Sequence, residues 1–198
     1  VAGGEVLVGG QAVRGDIGRF MRRHIGMLPT NRKENSVIPD FSVLDNVVLA
    51  EHSISGRRQI VRRAEELARY DKQQRALSIR AESPDDSINS LSGGNQQKVF
   101  LARWLNTDAE ILLFDNPTQG VDVGAKAEIY RLINEFAEEG KTVIINTLEI
   151  PEIRKVSDRC VVFYSGRVVK IFEHADINER DVMLYSTNAV QEAEVHVS

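Results

Sequence analysis

The chain of 198 residues has one cysteine, five prolines and only 6% Phe, Trp and Tyr. A single thiol, Cys160, cannot close an internal disulfide, so the core must hold the fold, and this usage fits a reducing compartment. No apolar run approaches the roughly 18–20 residues that cross a bilayer, and no stretch reads as a signal peptide. A basic excess is missing as well: 25 Lys+Arg stand against 29 Asp+Glu, a net charge of −4. That argues against a nucleic-acid-coating role, which calls for a basic face or stripe. The four histidines, His24, His52, His174 and His196, are scattered without ligand spacing and read as surface or structural groups. What remains is an ordinary globular mixture, 42% hydrophobic and 27% charged, too apolar for disorder and able to bury a core. The length fits one medium domain, or a core with a small inserted lobe. Because the chain starts at Val1 and not Met, a preceding segment is expected.

Hydrophobic patterning gives the element order. Val6-Leu7-Val8 and Gln11-Ala12-Val13 flank Gly9-Gly10 and read as a β-hairpin. Ile25-Gly26-Met27-Leu28 reads as a strand running into Pro29 and a polar loop. Ser42 is placed to cap a helix over 43–49. Residues 60–75 form a polar helix with Arg62, Arg63, Glu65, Glu66, Arg69 and Lys72 on a solvated face. Leu91-Ser92-Gly93-Gly94 opens a helix to about Leu105. Ile111-Leu112-Leu113-Phe114 is wholly apolar and predicts a strand buried on both faces. A helix over 126–138, with Ile129, Tyr130, Ile133 and Phe136 on one face, ends at Gly140. A second buried strand is expected over 142–145, then a short helix over 152–156. Strands over 160–164 and 167–172 make a hairpin turning at Ser165-Gly166. Alternating strands and helices imply a parallel α/β sheet, interrupted by helix-rich sequence that could form a separate lobe.

Two features carry chemistry. In Leu91-Ser92-Gly93-Gly94-Asn95-Gln96-Gln97-Lys98, a serine and two glycines begin a helix. Uncrowded backbone N–H groups there aim a partial positive charge at an anion, and a phosphate can come close. Alone, the same residues are usually just a helix cap. Asp115 ends an apolar strand, and ligands of parallel sheets sit at strand carboxyl ends, so it is placed to hold Mg²⁺ through water. Alone, such an acid can be a turn residue. Together, in this order, they are more informative than either.

Leu91 to Lys98 resembles the signature motif of ABC-type ATPases, and Ile111 to Asp115 resembles their Walker B strand. Asn116-Pro117-Thr118-Gln119-Gly120-Val121-Asp122-Val123-Gly124-Ala125-Lys126 is similar to the D-loop stretch of one subgroup. That subgroup comprises the ATP-binding subunits of bacterial monosaccharide importers of the ribose, xylose and galactoside type, which carry two tandem ATPase domains. The Asn-Gln-Gln variant signature and the Gly-Val-Asp-Val-Gly-Ala-Lys run resemble the second, C-terminal domain. Pro29-Thr30-Asn31-Arg32-Lys33, then Ser42-Val43 and Asn46, resemble its Pro-Glu-Asp-Arg-Lys…Ser-Val…Glu-Asn segment, which replaces a normal Q-loop and faces the permease. Ser157-Asp158-Arg159 and Ser165-Gly166-Arg167 match too, so the resemblance covers nearly the whole chain. It implies an α/β, P-loop NTPase-like ABC core with a mainly parallel sheet plus a helical subdomain. Residues 1–34 would be a core remnant, 35–105 the helical subdomain, 106–185 the core with Walker B and D-loop, and 186–198 a polar tail.

Departures from the pattern bound what the chain can do. No Gly-x-x-x-x-Gly-Lys-Ser/Thr loop occurs, and Gly140-Lys141-Thr142 lies between a helix and a strand, the reverse of a phosphate loop. The family's Walker A would fall before Val1, so the first β–loop–α unit is expected to be absent. Asn116 stands where the family has a catalytic glutamate, and an amide cannot act as a general base. Leu148 stands at the switch-histidine position, and leucine can neither donate to a γ-phosphate nor relay a proton.

In this family each ATP lies between the Walker motifs of one domain and the signature helix of the other. The resemblance therefore implies that Leu91, Ser92, Gly93, Gly94, Asn95 and Gln96 serve ATP held by a companion domain. The chain's own site would be degenerate, with ATP and Mg²⁺ bound only in the complete assembly. Implied partners are the companion ATPase domain, membrane permease subunits and, indirectly, a periplasmic sugar-binding protein, with no nucleic acid, at the cytoplasmic face of the inner membrane. The alternative is a non-catalytic regulatory or scaffold module with an ABC fold, for which an intact signature would have no use. A soluble ABC protein of translation or DNA repair fits less well, since the linkers or coiled-coil insertions of those proteins are not seen.

Overall fold

Parallel strands need crossover connections, and the apolar bursts separated by helical segments supply them. In the computed structural model, which describes residues 5–30, 38–55 and 62–189, the chain divides into two units, Val1–Asn146 and Thr147–Ser198. The first unit contains a three-stranded parallel sheet ordered β3 (Ile25–Leu28), β4 (Ile111–Asp115) and β5 (Thr142–Asn146). The register pairs Ile25 with Ile111 and Thr142, and ends with Asp115 opposite Asn146. An antiparallel hairpin of β1 (Val6–Val8) and β2 (Gln11–Val13) precedes it. Gly9 and Gly10, both at positive φ (+56° and +76°), form its two-residue turn.

Among the described residues this unit has the helices α1 (Ile17–Met21), α2 (Val43–Ser55), α3 (Arg63–Ala76), α4 (Gly93–Leu105) and α5 (Val123–Glu138). Ser42 starts α2 as its sequence position predicts: its Oγ accepts from Asp45 N at 3.1 Å, while its own N–H donates to Asp45 Oδ2 at 3.2 Å. Helix α5 begins three residues earlier than periodicity alone suggests, because Asp122 caps it by accepting from Ala125 N. It ends at Gly140, φ +86°, where Lys141 N reaches Phe136 O and Gly140 N reaches Ala137 O. This paired closure is a Schellman motif, and it accounts for Gly140-Lys141-Thr142 as a helix stop. Gly26 is required for another reason: a Cβ there would lie 2.7 Å from the Trp104 ring, so glycine lets α4 pack down onto β3.

One sequence expectation needs correcting. Strands β4 and β5 are not buried on both faces. Leu112 and Phe114 are buried on one side of β4, while Ile111 and Leu113 on the other are only partly covered. Strand β5 pairs with β4 alone among the described residues, and Ile144 is 55% exposed. The row Met27, Leu113, Ile144 runs across the same sheet face, and its two ends are about half exposed. An apolar run of four or five residues predicts a strand, but neither its place in the sheet nor how much lies on each side of it.

The second unit comprises α6 (Ile150–Val156), an antiparallel hairpin of β6 (Arg159–Tyr164) and β7 (Arg167–Glu173), and α7 (Glu179–Ser186). Ser165 and Gly166, both at positive φ, make the tight turn anticipated from their sequence. Its core is Cys160, Val162, Phe172, Ile177 and Val182, with Tyr185 set edge-on to Phe172 at 5.7 Å.

Candidate functional site

Three strands of one parallel sheet end side by side, and their last residues converge on Asp115. Thr30, just after β3, donates its hydroxyl to Asp115 Oδ2. Asn146, the final residue of β5, donates its amide to Oδ1 at 2.7 Å, and Asn116 reaches the same oxygen at 3.4 Å. The carboxylate thus sits at the carboxyl end of the sheet, held by neutral donors from three chain segments. Asn116 itself adopts φ +47°, a left-handed conformation that asparagine tolerates better than most residues. Its backbone N–H donates to Asn146 O at 2.7 Å, so the chain turns sharply away from β4. The turn is then pinned from below, where buried Thr118 pairs with the Tyr130 hydroxyl at 2.9 Å.

The signature segment forms the start of α4. Ser92 is the N-cap, extended at φ −60° and ψ 156°, and its side chain is exposed. Its Oγ accepts from Asn95 N at 3.4 Å and from Asn95 Nδ2 at 3.0 Å. Asn95 Oδ1 in turn accepts from Arg80 N at 2.8 Å, and Gln96 Nε2 donates to Ile88 O and Leu91 O. Asn95 and Gln96 therefore tie the preceding loop to the helix, exposed Ser92 and partly buried Gly93 form its tip, and Gly94 is buried behind them. Gly94 faces the D-loop stretch: a Cβ there would approach Ala125 Cβ to 3.0 Å, with Val121 and Asp122 next nearest. Gly120, at φ +68°, makes the turn before Val121, which is buried.

The rest of α4 is deeply seated. Lys98 pairs with Glu128 of α5 at 2.6 Å. Arg103 donates from Nε to Asn46 O at 2.8 Å and from Nη2 to Asn46 Oδ1 at 2.9 Å, and it lies over the Phe100 ring. Burial pushes its guanidinium down to about 10, which still leaves it charged at neutral pH. Asn46 is fully buried and binds Ser42 O as well, so it joins the start of α2 to the end of α4.

Of the residues singled out in sequence, the structure brings Thr30, Asp115 and Asn116 together, and separately brings Gly94 against Val121 and Asp122. Pro29 is partly buried beside Thr30. Asn31, Arg32 and Lys33 lie outside the described residues, as does His196. Leu148 belongs to the second unit and is 86% exposed in the turn before α6. The three described histidines have structural partners: His24 at Asp108 O, His52 at Glu66 and His174 at Ser157 O. Among the described residues no group of three His, Cys, Asp or Glu could hold a metal, and no helix is long and apolar enough to cross a membrane. Sequence reasoning missed Asn146 on Asp115; the signal was the matching register of two strands that both end in a polar residue.

Known proteins resemble the chain in family and in fold. The family model described as ABC transporter matches residues 1–119. The ribose import ATP-binding protein RbsA of Hahella chejuensis is 40% identical over 173 residues, covering 87% of this chain and 34% of that protein. RbsA of Corynebacterium glutamicum is 38% identical over 194 residues, covering 98% of this chain and 37% of its own length. The chain thus spans about a third of the curated relatives it matches. Among solved structures, the ATP-binding cassette MJ0796, a dimer in a post-hydrolysis state bound to ADP and Pi, superimposes with a TM-score of 0.72. It is 25% identical, and the match covers 87% of this chain and 74% of that one. A parallel sheet ending in Asp115, a glycine-tipped helix at Ser92 and a family match over more than half of the residues lead to one conclusion: the chain belongs to the ABC transporter family.

Proposed function

We propose that this chain is an ATP-binding domain of a carbohydrate importer, and that it acts mainly by lending its signature helix to a nucleotide held by a companion ATPase domain. The observation that carries this reading is the exposed Ser92 cap followed by Gly93 and Gly94 at the start of a thirteen-residue helix. Such an end carries the positive pole of the helix dipole, and a γ-phosphate is the matching anion. Phosphoryl transfer depends on positioning and charge, so Ser92, Gly93 and Gly94 can contribute without a basic residue. Ribose import is what the relatives are named for; the chain's own cargo falls within the same sugar class.

Its own nucleotide site is degenerate. Asn116 replaces a general base, a loss that typically costs ~10²–10⁴-fold in rate. The side chain of Leu148 can neither relay a proton nor donate to a phosphate. Residues 35–105 form the helical subdomain between the core segments 1–34 and 106–185, and the segment 30–50 with that lobe meets the permease at the cytoplasmic face of the membrane. A periplasmic sugar-binding protein acts through the permease. Closure on ATP and release after hydrolysis then drive transport as a ligand-dependent population shift. Mg²⁺ accompanies the nucleotide and supplies charge neutralisation; Asp115 and Thr30 are the residues that would hold it, through water.

The test is Gly93→Asp in the complete transporter. A carboxylate at the helix tip repels the phosphate and should abolish sugar uptake, while uptake at the unaltered rate would overturn the reading. The purified 198-residue chain is expected to show no ATP hydrolysis of its own.

A further inference from the structure

A carboxylate offers about four lone-pair positions, and three at Asp115 are taken. Two amides, Asn146 Nδ2 at 2.7 Å and Asn116 Nδ2 at 3.4 Å, share Oδ1. The Thr30 hydroxyl takes one position on Oδ2. A Mg²⁺ held through water asks for one acceptor, and among the described residues Oδ2 has one position left, so the ion fits in that form. Direct contact with both carboxylate oxygens does not fit unless the amides leave.

We infer that Asn146 is a positioning residue, whose amide locks Oδ1 of Asp115 and closes the ends of β4 and β5 without a cation. Divalent-ion capture is thereby limited to a single water-mediated contact at Oδ2. Two independent bonds fix the arrangement: the side chain of Asn146 holds Asp115, and its carbonyl accepts the N–H of Asn116 at 2.7 Å. The register makes Asn146 the direct neighbour of Asp115 on the same sheet face, so any side chain at 146 confronts that carboxylate. An apolar residue there would leave Oδ1 with the longer Asn116 contact alone. An acid would set two carboxylates side by side, which repel one another until a cation bridges them. This inference shares Asp115 with the function proposed above, but its readouts need neither nucleotide nor partner domain, so either can fail while the other stands.

The experiment uses the purified 198-residue chain as wild type, Asn146→Asp, Asn146→Val and the exchanged pair Asp115→Asn/Asn146→Asp. Thermal unfolding is followed in EDTA and in rising Mn²⁺, with Mn²⁺ binding measured by electron paramagnetic resonance. The wild-type midpoint should not respond to Mn²⁺. Asn146→Asp should unfold at a lower temperature in EDTA, recover with Mn²⁺, and bind the ion at least about tenfold more tightly. The exchanged pair restores one acid facing one amide and should return both readings to wild type. Asn146→Val, which suits a strand, should show no cation response. The inference is overturned if Asn146→Asp matches wild type in EDTA, if its Mn²⁺ affinity is unchanged, if the exchanged pair fails to recover, or if Asn146→Val gains the same cation response.

Discussion

Gly94 shows how one missing methyl group can hold two functional segments together. Its Cα faces Ala125 across a gap that a Cβ would narrow to 3.0 Å, so the signature helix and the start of α5 touch because this residue is glycine. Gly94→Val adds two further methyl groups to that contact and is expected to cost about 1–3 kcal/mol by overpacking. Urea unfolding of the purified chain measures it. Gly94→Ala should stay much closer to wild type, since the gain in helix propensity, about 1 kcal/mol, offsets a shift of a few tenths of an ångström. At this scale the sequence was most legible where a residue acts through its own backbone position. Ser92 reads as a cap, Gly140 as a helix stop and Asp115 as a strand end, because each depends on neighbours within a few residues. Asn146 did not read as part of the site, since its partner is 31 positions away and only strand register joins them.

Among the elements, α4 is the one to which the others are fastened. Lys98 bonds it to α5, Arg103 bonds it to Asn46 at the start of α2, and Trp104 rests on Gly26 of β3. Asn46 thereby joins the segment before α2 to the helix whose tip carries Ser92. Arg103→Ala would strip the side-chain and backbone oxygens of buried Asn46 of charged donors, with an expected loss of about 2–3 kcal/mol read from the urea midpoint. The two glycine turns, the Ser42 cap and most elements followed from local pattern, but the helices α1 and α7 did not. Coverage of the sheet did not. Periodicity in Thr142-Val143-Ile144-Ile145 cannot tell an edge strand from a central one, and β5 proved to be paired on one side with Ile144 half open.

At the scale of the whole molecule, the two units differ in what holds them. The second rests on a small core around Cys160, whose thiol burial pushes above its ordinary value of 9.0. A raised value means that the unfolded chain loses the proton first, so this contribution is intact below pH 9.0 and fades as pH rises beyond it. The same burial slows attack on the thiol. At pH 8, labelling of Cys160 by an aromatic disulfide reagent should be slow in buffer and should accelerate steeply across the urea transition of this unit. Fast labelling of the native chain would show that the small core is open. The 198 residues supply a glycine-tipped helix and a strand-end carboxylate, with asparagine and not a general base at position 116. On the function proposed above, a second ATPase domain holds the nucleotide that this helix meets.

Sedimentation velocity on the chain mixed with a phosphate-loop-containing companion domain of the same transporter tests that dependence most directly. With ATP and Mg²⁺ present, the wild-type chain is predicted to form a one-to-one complex that dissolves when ATP is withdrawn, and the Gly93→Asp chain to remain unassociated. Association that ignores both ATP and the Gly93→Asp change would contradict the account.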